Sequence, residues 1–179
     1  AGQGRNIDID YARLARESLE VLTLAIALCP TALDSLAKDK YWHGFLVDLV
    51  LLSPAPLVRG SAAEQFLLIC TRATSDSGHV KLMVNLLFTV VHTLAKERAE
   101  QSAEFFLLLT RLLSYLSSTG VVLSNCGALL SKQLETLSNV RESVMKTGHP
   151  GVIGSTLEGH LAITRELVLF LPPDRKLDI

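Results

Sequence analysis

No glycine or proline interrupts the chain between Gly78 and Gly120, and through that stretch apolar residues recur at three- and four-residue spacing. This is the period of an α-helix and does not fit strand alternation. A single helix from His79 to Ser118 would be about 60 Å long, more than a chain of 179 residues can cover. A break is therefore expected in the polar stretch 96–102.

The rest of the chain is punctuated by capping residues, prolines and glycines. A first helix is expected from near Asp8 or Asp10, with Leu14, Val21, Leu22, Ala25 and Leu28 inward and the pairs Arg13/Glu17 and Arg16/Glu20 outward. It should stop before Pro30, whose ring disfavours helical geometry at Cys29. Thr31-Ala-Leu-Asp34 reads as a capping box with Asp in place of Glu, opening a short helix to about Lys38. Another is expected from about Asp39 to Leu52, ended by Ser53-Pro-Ala-Pro56. The next, from about Leu57 to Ala73, turns Val58, Ala62, Phe66, Leu67 and Ile69 inward and is followed by the turn Ser75-Asp-Ser-Gly78.

Beyond Gly120, Ser124 is placed to cap an amphipathic helix that Gly148 ends. Its inner face is read as Leu130, Leu134, Leu137, Val140 and Val144, and its outer face as Lys132, Glu135, Asn139, Glu142 and Lys146. A glycine-rich connector over 148–154 then leads to the capping box Ser155-Thr-Leu-Glu158 and a last helix reaching Phe170.

Three stretches, 19–28, 82–94 and 105–116, are apolar on nearly every side and are expected to form inner-layer helices. The fold class predicted is all-α: stacked antiparallel helical hairpins in one domain over 1–179, an armadillo/HEAT-like solenoid segment of about eight helices. No strict repeat period is present. The solenoid reading rests on alternation of all-round and one-faced helices, and on Leu57-Val58-Arg59 with Ala62 and Leu67, a pattern that HEAT-type repeats use.

Charge and cysteine usage narrow the partners. A net charge of -1 with scattered basic residues gives no footprint for nucleic acid. The apolar runs 21–29 and 45–52, broken by Thr23 and Asp48, fall short of the roughly 20 residues that a membrane span needs. The opening Ala-Gly-Gln-Gly-Arg lacks the apolar run of a secretory signal, and the chain reads as a piece of a larger one. Cys29, Cys70 and Cys126 are odd in number and far apart, which argues against a disulfide framework and for cytosol or nucleus.

Each candidate for chemistry has a plainer explanation. Cys126, near a predicted helix start, is the best-placed nucleophile, with His149 or His160 as a base folding back on it. A small core cysteine is the plainer account of it, and no oxyanion-hole motif accompanies it. Cys29 and Cys70, at the ends of apolar helices, read as core residues. No two of His43, His79, His92, His149 and His160 stand at i,i+3 or i,i+4, so no metal site is expected. The glycine-rich 148–154 stretch has neither a dinucleotide fingerprint nor a P-loop ending, and no cofactor is expected. Glu158 reads as a capping-box residue and His160 as a first-turn residue. Tyr41 and Trp42, an aromatic pair near a helix start, are a candidate partner anchor, weighed against Trp42 packing on the neighbouring hairpin.

Several blocks, read together, carry a resemblance: Val21-Leu-Thr-Leu-Ala-Ile-Ala-Leu-Cys-Pro-Thr-Ala-Leu-Asp34 with Lys38-Asp-Lys40, Glu64-Gln-Phe-Leu-Leu-Ile-Cys-Thr-Arg72, Leu86-Leu-Phe-Thr-Val90 with Glu97-Arg-Ala99, and Leu157-Glu-Gly-His-Leu161. They resemble the helical region upstream of the protease domain in the giant fat-facets-type ubiquitin-specific proteases. The resemblance implies a parent enzyme that cleaves ubiquitin from substrate proteins with a Cys-His-Asp/Asn thiol protease site. That family's cysteine box has no counterpart here, since Ser124-Asn-Cys126-Gly does not match it, and its histidine box is absent. Its catalytic residues carry over to no position of this chain.

Overall fold

The computed structural model describes residues 3–72, 77–97, 103–147 and 150–171. Among them the chain is all-α, as the periodicity predicts, with eight helices and no strand. These are α1 (Gln3–Leu28), α2 (Pro30–Lys38), α3 (Lys40–Leu52), α4 (Pro56–Arg72), α5 (Ser77–Glu97), α6 (Ala103–Ser118), α7 (Cys126–Thr147) and α8 (Pro150–Leu169). They fall into two compact units, Ala1–His79 and Val80–Ile179. The expected break over 96–102 lies largely outside the described residues, and the flanking helices end at Glu97 and resume at Ala103.

In the first unit α4 packs against both α1 and α3, with α2 touching all three. Its core is Leu19 and Ile26 of α1, Leu33 and Ala37 of α2, Leu46, Val47 and Val50 of α3, and Val58, Ala62, Phe66, Ile69 and Cys70 of α4. Each large side chain taken fully out of water contributes about 1.5–3 kcal/mol. Leu67, expected inward, is only half-buried, while Gln65 takes an inner position.

The rotation of α1 differs from expectation. Leu14, Val21, Ala25 and Leu28 are exposed, Leu22 is half-buried, and Leu19 and Ile26 carry the core contact. The reason is a polar tether described below. Gln65 bonds to the Leu19 carbonyl and the Thr23 hydroxyl, so that side of α1 must face α4.

Two helix starts also differ. Thr31 and Asp34 do not open α2, which begins at Pro30 with Cys29 as an N-cap residue whose side chain makes no capping hydrogen bond. Proline needs no N–H in the first turn and arrives with a helical φ, so it starts the helix by itself. The same residue type explains α8. It begins at Pro150, so the stretch 150–154 is helix rather than connector and Ser155 lies inside it, not at its cap. Residues 148 and 149 lie outside the described residues.

In the second unit α8 packs against both α6 and α7. Of the three all-round apolar stretches, α6 comes nearest to expectation, with Phe105, Phe106, Leu108, Leu109, Leu112, Leu113 and Leu116 all buried and Leu107 the one exposed apolar residue of 105–116. By contrast α1 leaves Val21, Leu24 and Leu28 exposed, and α5 leaves Leu82 and Leu86 exposed. An apolar circumference permits burial on every side but does not supply the neighbours.

α6 stops in a Schellman motif. Gly120 has φ 71°, its N–H bonds to the Ser117 carbonyl at 3.3 Å, and Val121 N–H reaches Leu116 at 3.1 Å. A side chain at Gly120 would pay for the left-handed backbone. Past it, α7 starts at Cys126, two residues beyond the expected cap Ser124. α7 turns Leu130 and Val140 inward as expected, but Leu134 is exposed and Leu137 half-buried, and Gln133 and Thr136 occupy the inner face. The side chain of Val144 lies outside the described residues. Lys132, Glu135, Asn139, Glu142 and Lys146 are all exposed as expected.

Candidate functional site

Asp39 caps α3 by accepting from the backbone N–H of Tyr41 at 2.9 Å and of Trp42 at 3.1 Å. This cap holds the first turn and sends the two adjacent aromatic side chains different ways. Tyr41 is 92% exposed. Trp42 is half-buried and its indole N–H donates to Gln65 Oε1 on α4 at 2.9 Å. The two residues predicted as one anchor therefore do different things, and Trp42 is a packing residue. Phe45 and Leu52, one and three turns beyond Tyr41, are also exposed, with Asp48 between them. This stripe on α3 is an exposed aromatic surface of the first unit.

Gln65, fully buried, ties three helices. An indole N–H only donates, so the carbonyl oxygen of Gln65 must face Trp42 and its amide nitrogen must face α1. That nitrogen donates to the Leu19 carbonyl at 3.2 Å and to the Thr23 hydroxyl at 3.0 Å, and Thr23 in turn donates to Leu19 O at 2.7 Å.

A second buried glutamine does the same in the other unit. Gln133 of α7 faces His92 Nε2 with its oxygen at 3.1 Å. Its nitrogen donates to His160 Nδ1 at 3.1 Å and to the His160 carbonyl at 3.2 Å, where Thr164 also donates at 2.7 Å. These bonds set the protons: His92 carries one on Nε2, and neutral His160 carries its own on Nε2 as well. That His160 N–H has no hydrogen-bond partner among the described residues, nor has the buried Thr156 hydroxyl one turn earlier. Burial, with repulsion from His92 second, pushes the His160 pKa down to about 4. His160 is thus a mid-helix core residue, not a first-turn one, and Glu158 is an exposed residue well inside α8.

Beside His160, Gly159 lets α6 approach closely. A Cβ built there would clash with the Phe106 ring, whose centroid lies 5.0 Å from that of His160.

The three cysteines stand in different surroundings. Cys126 is buried, its thiol donates to the Leu167 carbonyl at 3.3 Å, and burial raises its pKa, which disfavours the thiolate a nucleophile needs. His149 lies outside the described residues, and His160 is committed to Gln133. Cys70 is a core residue as expected, pushed up to about 12 by burial. Cys29 is not: it is exposed at the start of α2, where the Thr31 hydroxyl and the Ala32 N–H lower its pKa. No group of three His, Cys, Asp or Glu side chains among the described residues is arranged to hold a metal ion. Nor is any single helix among them long and apolar enough to cross a membrane.

The two glutamines and Gly159 escaped the sequence reading, although the glutamines could have been found. Gln65 stands three residues after Ala62 and four before Ile69, and Gln133 three after Leu130, so both occupy core positions of an apolar stripe. Gly159 carried no such signal.

No family model matches the chain. Ubiquitin carboxyl-terminal hydrolase 9X of Mus musculus is 40% identical over 176 residues, covering 98% of this chain and 7% of that protein. Ubiquitin carboxyl-terminal hydrolase 9Y of Homo sapiens is 38% identical over 170 residues, covering 95% of this chain and 7% of its own length. The probable ubiquitin carboxyl-terminal hydrolase FAF of Drosophila melanogaster is 37% identical over 163 residues, 91% of this chain and 6% of that protein. The similarity thus runs through almost the whole chain while spanning only about 7% of these curated relatives.

Proposed function

We propose that this chain is a non-catalytic helical scaffold segment of a deubiquitinating thiol protease whose full-length form removes ubiquitin from substrate proteins. The observation that carries the reading is the proportion of the match: 98% of the chain against 7% of a relative named as a ubiquitin hydrolase. A stretch so small beside the whole, with its buried cysteines pushed away from the thiolate and its buried histidines engaged with glutamine or aromatic rings, supports geometry rather than chemistry.

In this reading the two units are parts of one armadillo/HEAT-like domain over 1–179, which extends an arm of the enzyme in the cytoplasm, and in the nucleus where the parent enters it. Its partners are proteins: substrates or regulators of the parent, with ubiquitin itself held by a protease domain elsewhere. Tyr41, with Phe45 and Leu52 beside it, is the surface proposed to meet them, since aromatic side chains that stand clear of the fold contribute most to such contacts. Within the fat-facets group, ubiquitin carboxyl-terminal hydrolase twenty-four is proposed as kin of the parent, on the quoted sequence blocks.

A ubiquitin activity-based probe tests the division of labour. The isolated chain is expected to remain unlabelled and the full-length parent to react at a cysteine outside this segment. Labelling of Cys126 in the isolated chain would instead make it an enzyme. A parent transcript with no protease domain would favour an independent helical adaptor unrelated to ubiquitin.

A further inference from the structure

Of the six prolines, Pro54 alone follows a serine or threonine. Ser53 closes α3, and the corner from Ser53 to Ala55 belongs to no helix. A proline ring disfavours helical geometry at the residue before it, and Ser53 is accordingly extended, with φ -62° and ψ 130°. Ser53 itself is half-buried, while Leu52, Pro54 and Pro56 around it are exposed. A serine held extended before an exposed proline is the form in which proline-directed protein kinases accept a substrate hydroxyl.

The same corner is arranged to hold the product. Proline has no N–H, so from Pro54 to Pro56 the main chain has one donor, that of Ala55, and it donates to Ser53 Oγ at 3.3 Å. Arg59, in the first turn of α4, donates from Nη1 to the Ser53 carbonyl at 2.9 Å. That carbonyl and the hydroxyl belong to one residue, so the guanidinium stands beside the position a phosphate on Oγ would take, and a guanidinium pairs with phosphate oxygens through parallel N–H groups. Arg13 and Arg16 of α1 also border the corner, lining a hollow with Ala55, Pro56 and Leu57. They are engaged along their own helix with Glu17 and Glu20, at 3.0 and 3.4 Å, which leaves Arg59 as the cation best placed.

We propose that Ser53 is a phosphorylation site for a proline-directed serine/threonine protein kinase, and that the Ala55 N–H and the Arg59 guanidinium clamp the phosphoserine. The co-reactant is a nucleoside triphosphate. Ser53 Oγ forms a bond to its γ-phosphorus, the bond from that phosphorus to the β–γ bridging oxygen breaks, a nucleoside diphosphate leaves, and the hydroxyl proton passes to the base of the kinase. The added group carries about -1.5 to -2 charges at pH 7 and lies at the start of α4, where the helix dipole also favours an anion. The clamp ties the end of α3 to the first turn of α4 and stiffens the first unit. None of this depends on the chain being part of a protease.

Incubation of the folded 179-residue chain with a proline-directed kinase and magnesium–ATP, followed by peptide-resolved mass spectrometry, is expected to place one phosphoryl group on Ser53. Ser53→Ala should leave that peptide unmodified. Phosphorylation should raise the thermal midpoint of the first unit by several degrees at low salt and by less at high salt. In Arg59→Gln the transfer should proceed without that gain, and Arg59→Lys should recover part of it. Each variant is compared with its own unmodified form, so the direct effect of the substitution cancels. Phosphorus NMR supplies a readout that a merely structural role would not move: the second pKa of the phosphate should lie below its ordinary value of about 6, and return to it in Arg59→Gln. Refusal of the folded chain by a kinase that modifies a peptide over residues 47–59 would overturn the proposal, as would absence of the Ser53 phosphopeptide from the protein isolated from cells under phosphatase inhibition. Phosphorylation with no gain in the midpoint, or a phosphate pKa indifferent to residue 59, would overturn the clamp.

Discussion

Gln65 and Gln133 solve one problem in two ways. Each is a fully buried amide whose oxygen accepts from a ring N–H and whose nitrogen reaches a helix carbonyl that a threonine four residues later also contacts. In the first unit the remaining amide hydrogen goes to a threonine hydroxyl, and the network of Trp42, Thr23 and the Leu19 backbone holds nothing that titrates. In the second it goes to an imidazole, and both rings in the network are histidines. The pattern gives position and the ring gives sensitivity: only the second unit's version depends on a protonation state, and it leaves a buried imidazole N–H without a partner among the described residues.

The sharpest way to break this comparison is to remove each amide. Gln133→Leu strands the His160 Nδ1 acceptor in a site closed to water and removes the bond to His92, and should cost on the order of 3–5 kcal/mol. Gln65→Leu leaves a half-buried indole and a hydroxyl that keeps its bond to Leu19, and should cost about 1–2 kcal/mol. Hydrogen exchange resolved by unit reads both, and equal losses would mean that the two networks are equivalent.

Acid should separate the units next. His160 titrates near 4 in the fold against 6.5 in the open chain. Above about pH 6.5 it is neutral in both states and imposes no penalty. As pH falls below that value the unfolded chain binds the proton first, so the second unit loses stability down to about pH 4, by about 3 kcal/mol in all. Chemical denaturation as a function of pH should show this slope and show it flattened in His160→Leu.

Two glycine substitutions should have effects of opposite sign in the two units. Gly159→Ala forces a methyl group into the Phe106 ring and should destabilise the second unit by about 2 kcal/mol. Gly60→Ala, inside α4 with nothing within 4 Å of the new Cβ, should stabilise the first by about 0.5–1 kcal/mol. Thermal melts of the two variants distinguish a tight crossing from an ordinary helical glycine.

Much of the fold could be read from the residues because helices announce themselves locally. The Asp39 cap, the stop at Ser53-Pro-Ala-Pro56 and the glycine at 120 depend on neighbours in sequence. Which side of a helix faces inward is set by another helix, and where leucine surrounds the axis no local signal remains. That is why Leu14, Val21 and Leu28 were assigned to the core and Leu19 was not. The prolines at 30 and 150 misled in the other direction, because proline was read as a stop or a loop residue where it serves as the first residue of a helix. Of the candidate site, the aromatic pair Tyr41 and Trp42 is visible in the sequence, whereas the glutamine tethers are not, because which polar residue turns inward depends on partners on other helices.

Both glutamines take their anchorage from a main-chain oxygen, at Leu19 and at His160. Any amino acid supplies that oxygen, so the side chain at position 19 can drift through evolution without loosening the tether, and no compensating change at position 65 is required. Paired substitutions, the usual trace of two residues in contact, are therefore not expected between them. At that contact the selective constraint falls on the glutamine, and a comparison of many related sequences should show Gln65 retained, with its side-chain partners Trp42 and Thr23, while position 19 varies among apolar residues.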